Sequence, residues 1–253
     1  MSKFAVVTGG STGIGRCLVT AMAKAGFTVA FSYRSSREAA ERVVAEVERE
    51  GGKAKAVHCD VGIGSEVARF YDDLAAWFGE APDVLVNNAG IQTWSSLLDL
   101  EEESWDNVIR TNLKGCFLNT KAAARLMIDS GKPGSIVNIG SGCNKLAFPN
   151  LVDYTASKGG IEQFTKVSAV ELGPHAIRVN CVAPGAVSTE RTHEEAADYS
   201  DKWSKITPLR RVGTPEDITG PVIFLTTNAA SFITGQTIWV DGGVFSQANW
   251  PSY

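Results

Sequence analysis

Short apolar runs recur at residues 4–7, 28–32, 54–58, 84–86, 134–139, 177–182 and 237–240, each bounded by glycine, proline or polar residues. They are short and rich in β-branched residues, which suits strands, and the run 84–86 is apolar throughout, as expected of a sheet covered on both faces. Between the runs lie segments with helical spacing. One runs from Gly15 to near Gly26, a charged one closes at Gly51-Gly52, and a third ends near Phe78. Another opens with Glu101, Glu102 and Glu103 and continues through Trp105, Val108 and Ile109 to Asn112; a long one runs from Asp153 towards Gly173, and a last one follows Pro215. The first-turn glutamates are explained by the helix dipole and do not form a paired-carboxylate site. Strands and helices alternating in this way predict a single-domain α/β protein over residues 1–253, a Rossmann-type doubly wound parallel sheet of about seven strands with helices on both faces. Residues 186–207 break the pattern with a polar stretch, which predicts either a substrate lid or a solvated connector.

Composition narrows the partners. The chain has 253 residues, 44% of them hydrophobic, enough to bury a core as one domain. Its net charge of -4 and pI near 5.5 arise from mixed charges without a basic block. That excludes a nucleic-acid surface or a polybasic membrane anchor and points to a small-molecule substrate. No apolar run approaches the ~20 residues of a membrane span. Cys17, Cys59, Cys116, Cys143 and Cys181 are widely spread and odd in number. They read as buried thiols in a reducing compartment, so a soluble cytoplasmic protein without disulfides or metal is expected. His193-Glu194-Glu195 reads as a solvated loop in preference to a ligand pair. The stretch 244–253 is aromatic for a chain end and calls for a covering surface.

Candidate chemistry begins at the first strand-to-helix turn, Thr8-Gly9-Gly10-Ser11-Thr12-Gly13-Ile14-Gly15. Glycines there let backbone amides approach a pyrophosphate at the positive end of a helix. The second strand ends in Tyr33-Arg34-Ser35-Ser36-Arg37, without the acidic residue that would bind the 2′-hydroxyl of NAD. Arg34, with Ser35 and Arg37, instead offers donors for a 2′-phosphate, and NADP is the expected cofactor, with NAD as a secondary one. Asp60, followed by Val61, either accepts from the adenine amino group or caps the next helix. Asn87-Asn88-Ala89-Gly90 closes the fourth strand with small residues that admit a flat ligand, its asparagines tying strands or holding the ribose. Asn112, poor for a helix interior, either points to solvent or has a task. Ser141 lies at the end of the fifth strand, thirteen residues before Tyr154, and Lys158 follows Tyr154 by one helical turn. A cation about 4 Å from a phenol, at an effective dielectric of ~20, is worth roughly 4 kcal/mol, or about three pKa units. Such a pair would bring Tyr154 into useful acid–base range. Cys143 beside Ser141 is either an inert buried thiol or a reagent-sensitive one.

Assembled in order and at these spacings, Thr8-Gly9 through Gly15, Asn87-Asn88-Ala89-Gly90, Asn112, Ser141, Tyr154-x-x-x-Lys158 and Pro184-Gly185 resemble the short-chain dehydrogenase/reductase family over nearly the whole chain. The resemblance implies that Tyr154 is the general acid/base, that Ser141 positions the substrate oxygen, that Lys158 binds the nicotinamide ribose and lowers the tyrosine pKa, and that Asn112 holds a proton-relay water. It also implies that the Val187 amide and Thr189 hydroxyl bind the nicotinamide carboxamide and that the protein is a homotetramer. Ser32-Tyr33-Arg34-Ser35 and Lys145-x-x-x-Pro149 are similar to sugar dehydrogenases of the glucose 1-dehydrogenase type, although Asn144 stands where those carry an acidic residue.

The expected reaction is hydride transfer between NADP(H) and the carbinol or carbonyl carbon of a small polar substrate, with C1 of an aldose as the first choice. Reduction of ketones or 3-oxoacyl thioesters is the alternative, and a nucleotide-sensing protein without catalysis is a third. Gln92, Asn144, Lys145 and Asn150 suit a polyhydroxylated substrate, whereas Trp94 and Phe148 suit an apolar one, and Cys143 lies among them.

Overall fold

Alternation within the apolar runs sets the two faces of the sheet. In the computed structural model, which describes residues 3–248, they form β1 (Lys3–Val7), β2 (Phe27–Tyr33), β3 (Lys53–His58), β4 (Val84–Asn87), β5 (Gly134–Ile139), β6 (Ile177–Pro184) and β7 (Thr237–Val240). These make one sheet of seven strands in the order β3-β2-β1-β4-β5-β6-β7, and every pairing is parallel. Val7, Val29, Phe31, Val86, Val137 and Val182 turn to one face. There α1 (Gly13–Lys24), α2 (Arg37–Arg49) and α9 (Pro215–Thr226) cover them with Leu18, Met22, Val43, Val47, Ile218 and Leu225. Phe4, Val6, Ala30, Leu85, Ile136 and Val179 turn the other way, against Phe70 and Leu74 of α3 (Gly64–Phe78), Met127 of α5 (Gly115–Asp129) and Ala169 of α6 (Val152–Leu172). Full burial of each large apolar side chain contributes roughly 1.5–3 kcal/mol, so both layers are held strongly.

β1 is the point from which the chain winds in opposite directions, to β2 and β3 on one side and to β4 through β7 on the other. A parallel sheet of this kind opens a crevice beyond the carboxyl ends of its strands at that point. The segment expected as one helix from Glu101 to Asn112 is broken. α4 (Glu102–Ile109) runs into a widened π turn, Arg110–Lys114, before α5 continues. The turn carries Asn112, which is buried. Residues 186–207 are not irregular throughout: they contain α7 (Glu190–Glu195) and α8 (Tyr199–Ile206).

Part of the aromatic tail is accounted for within the chain. Val244 and Phe245 are buried, and the Phe245 ring packs edge-on to Phe148 at 5.9 Å. The last part of that tail, residues 249–253, lies outside the described residues. Among the described residues no helix is long and apolar enough to cross a membrane.

Candidate active site

A cleft of about 1410 Å³ runs along the carboxyl edge of the sheet, from Tyr33 and Arg34 at one end to Trp203 and Phe245 at the other. Its first floor is the glycine turn. Gly9 and Gly13 have φ of +66° and +53°, which an L side chain rarely adopts. A Cβ on Gly15 would sit 2.0 Å from the Gly9 carbonyl oxygen and 2.6 Å from Asn88 Nδ2. The Asn88 side chain donates to the carbonyls of Thr8 and Gly9 at 3.0 and 3.1 Å, and Thr8 Oγ1 accepts from the amides of Asn88 and Ala89. Asn88 therefore stiffens the turn, while Asn87 donates to Thr120 and Asn138 and ties β4 to its neighbours. The first amides of α1, around Ile14 and Gly15, have no partner within the helix and face a cradle lined by Ser11, Thr12 and Gly13. A cradle in which Gly15 has no room for a Cβ fits the pyrophosphate of a dinucleotide.

At the end of β2, where the sequence reading expects the adenosine, Tyr33, Arg34 and Ser35 line the cleft. Arg37 does not join them as a donor: its guanidinium is 2.8 Å from Glu41 one turn on, and that carboxylate holds the Arg37 pKa up. Arg34, exposed and without an ion pair among the described residues, is left as the cation of this end. Asp60 does not cap the next helix, the second of its two sequence readings. One carboxylate oxygen accepts from the Gly62 amide at 2.9 Å and the other from Arg110 at 3.1 Å, and the following helix begins only at Gly64. Asp60 and Val61 still line the cleft beside Ala89 and Gly90.

Ser141, Tyr154 and Lys158 come together at its centre. Ser141 ends β5 and caps the short turn Gly142–Asn144, its Oγ accepting from the Cys143 amide at 3.2 Å. Lys158 is buried and its Nζ donates to the Ile139 carbonyl at 2.7 Å, 5.5 Å from the centroid of the Tyr154 ring. The expectation of a phenol brought down by that ammonium is not met. Burial pushes Tyr154 up to about 12, with the Ser141 hydroxyl pulling against it. Burial likewise lowers the Lys158 pKa, and one of its three N–H donors is committed to Ile139. The phenol is thus a protonated donor at neutral pH.

Asn112 has a task and does not point to solvent. Its Oδ1 accepts from the Ile91 amide, and its Nδ2 donates to the Ile91 carbonyl and to Ser157 Oγ, at 2.8 to 3.0 Å. One acceptor position on Oδ1 is left for a relay water. The Ser157 hydroxyl in turn donates a hydrogen bond to the Tyr154 carbonyl at 2.8 Å, so Asn112 locks the loop after β4 at Ile91 to the helix that carries the tyrosine.

Pro184, Gly185, Val187 and Thr189 line the cleft next to this centre. The Thr189 hydroxyl also caps α7, accepting from the Thr192 amide at 3.3 Å. His193 is engaged by Ser188 at 2.7 Å. Of the candidate substrate residues, Gln92, Trp94, Cys143 and Phe148 line the cleft and Asn144, Lys145 and Asn150 do not. Asn144 is turned back on its own turn, accepting from the Ser141 amide and donating to Cys181. Lys145 Nζ lies 5.5 Å over the Trp239 ring. Asn150 takes a left-handed φ of 62° and gives its carbonyl to the Ser95 amide. Cys143 is buried and burial raises its thiol pKa, as in an inert thiol.

Sequence reasoning missed an aromatic wall. Trp203 lies 6.0 Å from Phe148 and 6.1 Å from Tyr199, and Phe245 closes the group. The i, i+4 spacing of Tyr199 and Trp203 is the one local signal that a helix there presents an aromatic face. Arg191 and Glu195 also line the cleft, paired at 2.7 Å.

A family model described as enoyl-(acyl carrier protein) reductase matches residues 9–245. The chain is 39% identical over 245 residues to the 3-oxoacyl-[acyl-carrier-protein] reductase FabG of Staphylococcus epidermidis, covering 97% of this chain and 100% of that one. It is 38% identical over 250 residues to the (3R)-3-hydroxyacyl-CoA dehydrogenase of Mus musculus, with 96% of each chain covered. A solved structure described as a gluconate 5-dehydrogenase from Burkholderia cenocepacia in complex with NADP and tartrate superposes with a TM-score of 0.90 at 36% identity, over 97% of this chain and 96% of that one. Matches of this length and identity, on the same fold, mean that the chain belongs to the short-chain dehydrogenase/reductase family of NAD(P)-dependent oxidoreductases, which act on CH–OH and C=O groups.

Proposed function

We propose that the protein is an NADP-preferring oxidoreductase working between a ketone and its secondary alcohol on a short substrate. The observation that carries the choice of substrate is the aromatic wall of Phe148, Tyr199, Trp203 and Phe245, with Asn144, Lys145 and Asn150 turned away from the cleft. Aldose hydroxyls buried against those rings would lose their partners at about 1–3 kcal/mol each. An alkyl or acyl chain would not. The 3-oxoacyl and 3-hydroxyacyl substrates in the names of two relatives support the same reading. Oxidation at C1 of an aldose is the second reading, favoured by the polar side chains of Gln92 and Arg191 in the cleft.

When bound, the nicotinamide cofactor gives or takes the hydride. Ser141 and Tyr154 hold the reacting oxygen, and Tyr154 transfers the proton from its hydroxyl. Lys158, anchored on Ile139, holds the ribose, and the amides of the Gly9–Gly15 turn hold the pyrophosphate. Val187 and Thr189 bind the carboxamide, and the segment 186–207 acts as a lid. Asn112 positions this centre through Ile91 and Ser157. The unpaired Cys17, Cys59, Cys116, Cys143 and Cys181 support a cytoplasmic location. A homotetramer belongs to the same proposal: exposed Val167 and Val170 on α6 and Phe232 ahead of β7 are apolar side chains that a partner subunit would cover.

The deciding experiment is a paired screen of NADPH oxidation with short 3-oxo esters and diketones against NADP reduction with aldoses. Ketone reduction in excess of aldose oxidation is expected, and robust aldose oxidation without ketone reduction overturns the reading. For the cofactor, Arg34→Ala is expected to raise the KM for NADP by at least about tenfold while sparing NAD, since a charge-assisted hydrogen bond is worth roughly 1.5–3 kcal/mol. Equal effects on the two cofactors would show that Arg34 does not read the 2′-phosphate.

A further inference from the structure

The cleft also carries a set of donors that already hold a carboxylate. Glu195 of α7 receives Arg191 Nε at 2.7 Å and the Gln92 side-chain amide at 3.1 and 3.3 Å, so both of its oxygens are engaged. Arg191 also reaches the Gln92 carbonyl at 3.5 Å, which fixes the two donors relative to each other. They come from separate parts of the fold: Gln92 from the loop after β4, two residues beyond Gly90, and Arg191 from α7. All three side chains line the same cleft as Ser141 and Tyr154.

We propose that Gln92 and Arg191 are a receptor for a carboxylate on the substrate, occupied in this structure by Glu195 as an internal placeholder. The inference rests on the reading of the site as a ketone reductase and narrows its substrate class to short oxo acids and the corresponding hydroxy acids. A guanidinium and a primary amide present N–H groups that suit a carboxylate, and Glu195 demonstrates the binding geometry within the protein itself. The placeholder is weakly held. An i, i+4 pair whose side chains retain 47% and 26% of their exposure is poor competition for a ligand bound at a second point in the cleft.

The receptor and the reacting centre share one cleft: Gln92, Arg191 and Glu195 line it together with Ser141 and Tyr154. A carboxylate substituting for Glu195 would therefore sit on a molecule held in the cleft that also holds Ser141 and Tyr154. Phe148, Trp203 and Phe245 are then left to pack the alkyl part. Glu190 and Glu194, exposed on the same helix, oppose an anion only through solvent-screened charge, and Lys202 is compensated by Asp198 at 2.8 Å. Selectivity for the acid therefore depends on the two donors.

The test compares a 3-oxo acid, 3-oxobutanoate, with its methyl ester, which is uncharged and nearly the same shape. In Arg191→Gln, kcat/KM for the acid is expected to fall at least about tenfold more than for the ester. In Glu195→Gln, where the placeholder loses its charge, the KM for the acid is expected to fall about threefold relative to the ester. Equal effects on acid and ester in both variants overturn the receptor and leave the group as a latch between α7 and the β4 loop. Titration of succinate into the NADPH-saturated protein, followed by calorimetry, reads the receptor without turnover. Binding that weakens at least about tenfold in Arg191→Gln supports it, and no binding to the parent protein overturns it. If the parent reduces neither acid nor ester but binds succinate through Arg191, the ketone reading fails and the receptor stands.

Discussion

Tyr154→Phe is expected to lower turnover by about 10²- to 10⁴-fold, the range supplied by a positioned general acid or base. The variant removes one oxygen and keeps the ring, so the wall of the cleft is preserved and NADPH should bind as in the parent, as read by the cofactor's fluorescence. The pH dependence has a definite sign. The Tyr154 hydroxyl, pushed up to about 12 by burial, is protonated through neutral pH and is ready to donate in the reducing direction. Alcohol oxidation needs the phenolate and should rise as pH increases, and ketone reduction should weaken over the same alkaline range. In Tyr154→Phe both slopes should vanish. Near-parental turnover in a folded variant would remove Tyr154 from the reaction and with it the assignment of Ser141 as its partner.

Gly15→Ala should abolish high-affinity cofactor binding and destabilise the fold. The new Cβ would lie 2.0 Å from the Gly9 carbonyl oxygen, a backbone atom that cannot rotate away, and 2.6 Å from Asn88 Nδ2. Relief requires the turn to open, which separates the amides of α1 from the pyrophosphate position and strains the bonds from Asn88 to Thr8 and Gly9. Overpacking of this kind costs about 1–3 kcal/mol, and the NADPH Kd should rise by more than about tenfold. Gly159→Ala is the control for cofactor binding: it lies within α6, a Cβ there meets nothing within 4 Å in the same subunit, and NADPH affinity should be that of the parent. Parental Tm and NADPH affinity in Gly15→Ala would show that the turn tolerates a side chain and is not a pyrophosphate cradle.

Chemistry that depends on near neighbours along the chain is legible in the sequence. The central strands stand out because burial on both faces leaves short, largely apolar runs, and the glycine turn stands out because only glycine tolerates those backbone angles and contacts. Tyr154 and Lys158 pair in the sequence because one helical turn separates them. The state of their protons is not legible in that spacing. The Ile139 carbonyl that accepts a hydrogen bond from Lys158 comes from a neighbouring strand, and the burial that raises Tyr154 comes from packing around it. Asp60, on its local sequence a residue for adenine or for a helix cap, is claimed by Arg110, fifty residues away. Asn144 has the composition of a substrate contact in a polar loop, yet Ser141 and Cys181 draw it inward.

The substrate wall is the clearest division. Apart from the i, i+4 pair Tyr199 and Trp203, no sequence pattern joins Phe148 and Phe245 to that wall, and none joins Gln92 to Glu195, separated by 103 positions. The sequence by itself determined the fold class, the glycine turn and the pairing of Tyr154 with Lys158, because each is written in local periodicity, backbone sterics or short spacing. Only the tertiary structure decided which side chains face the substrate and which charges are compensated, because those depend on contacts between distant segments that hydrophobic burial brings together.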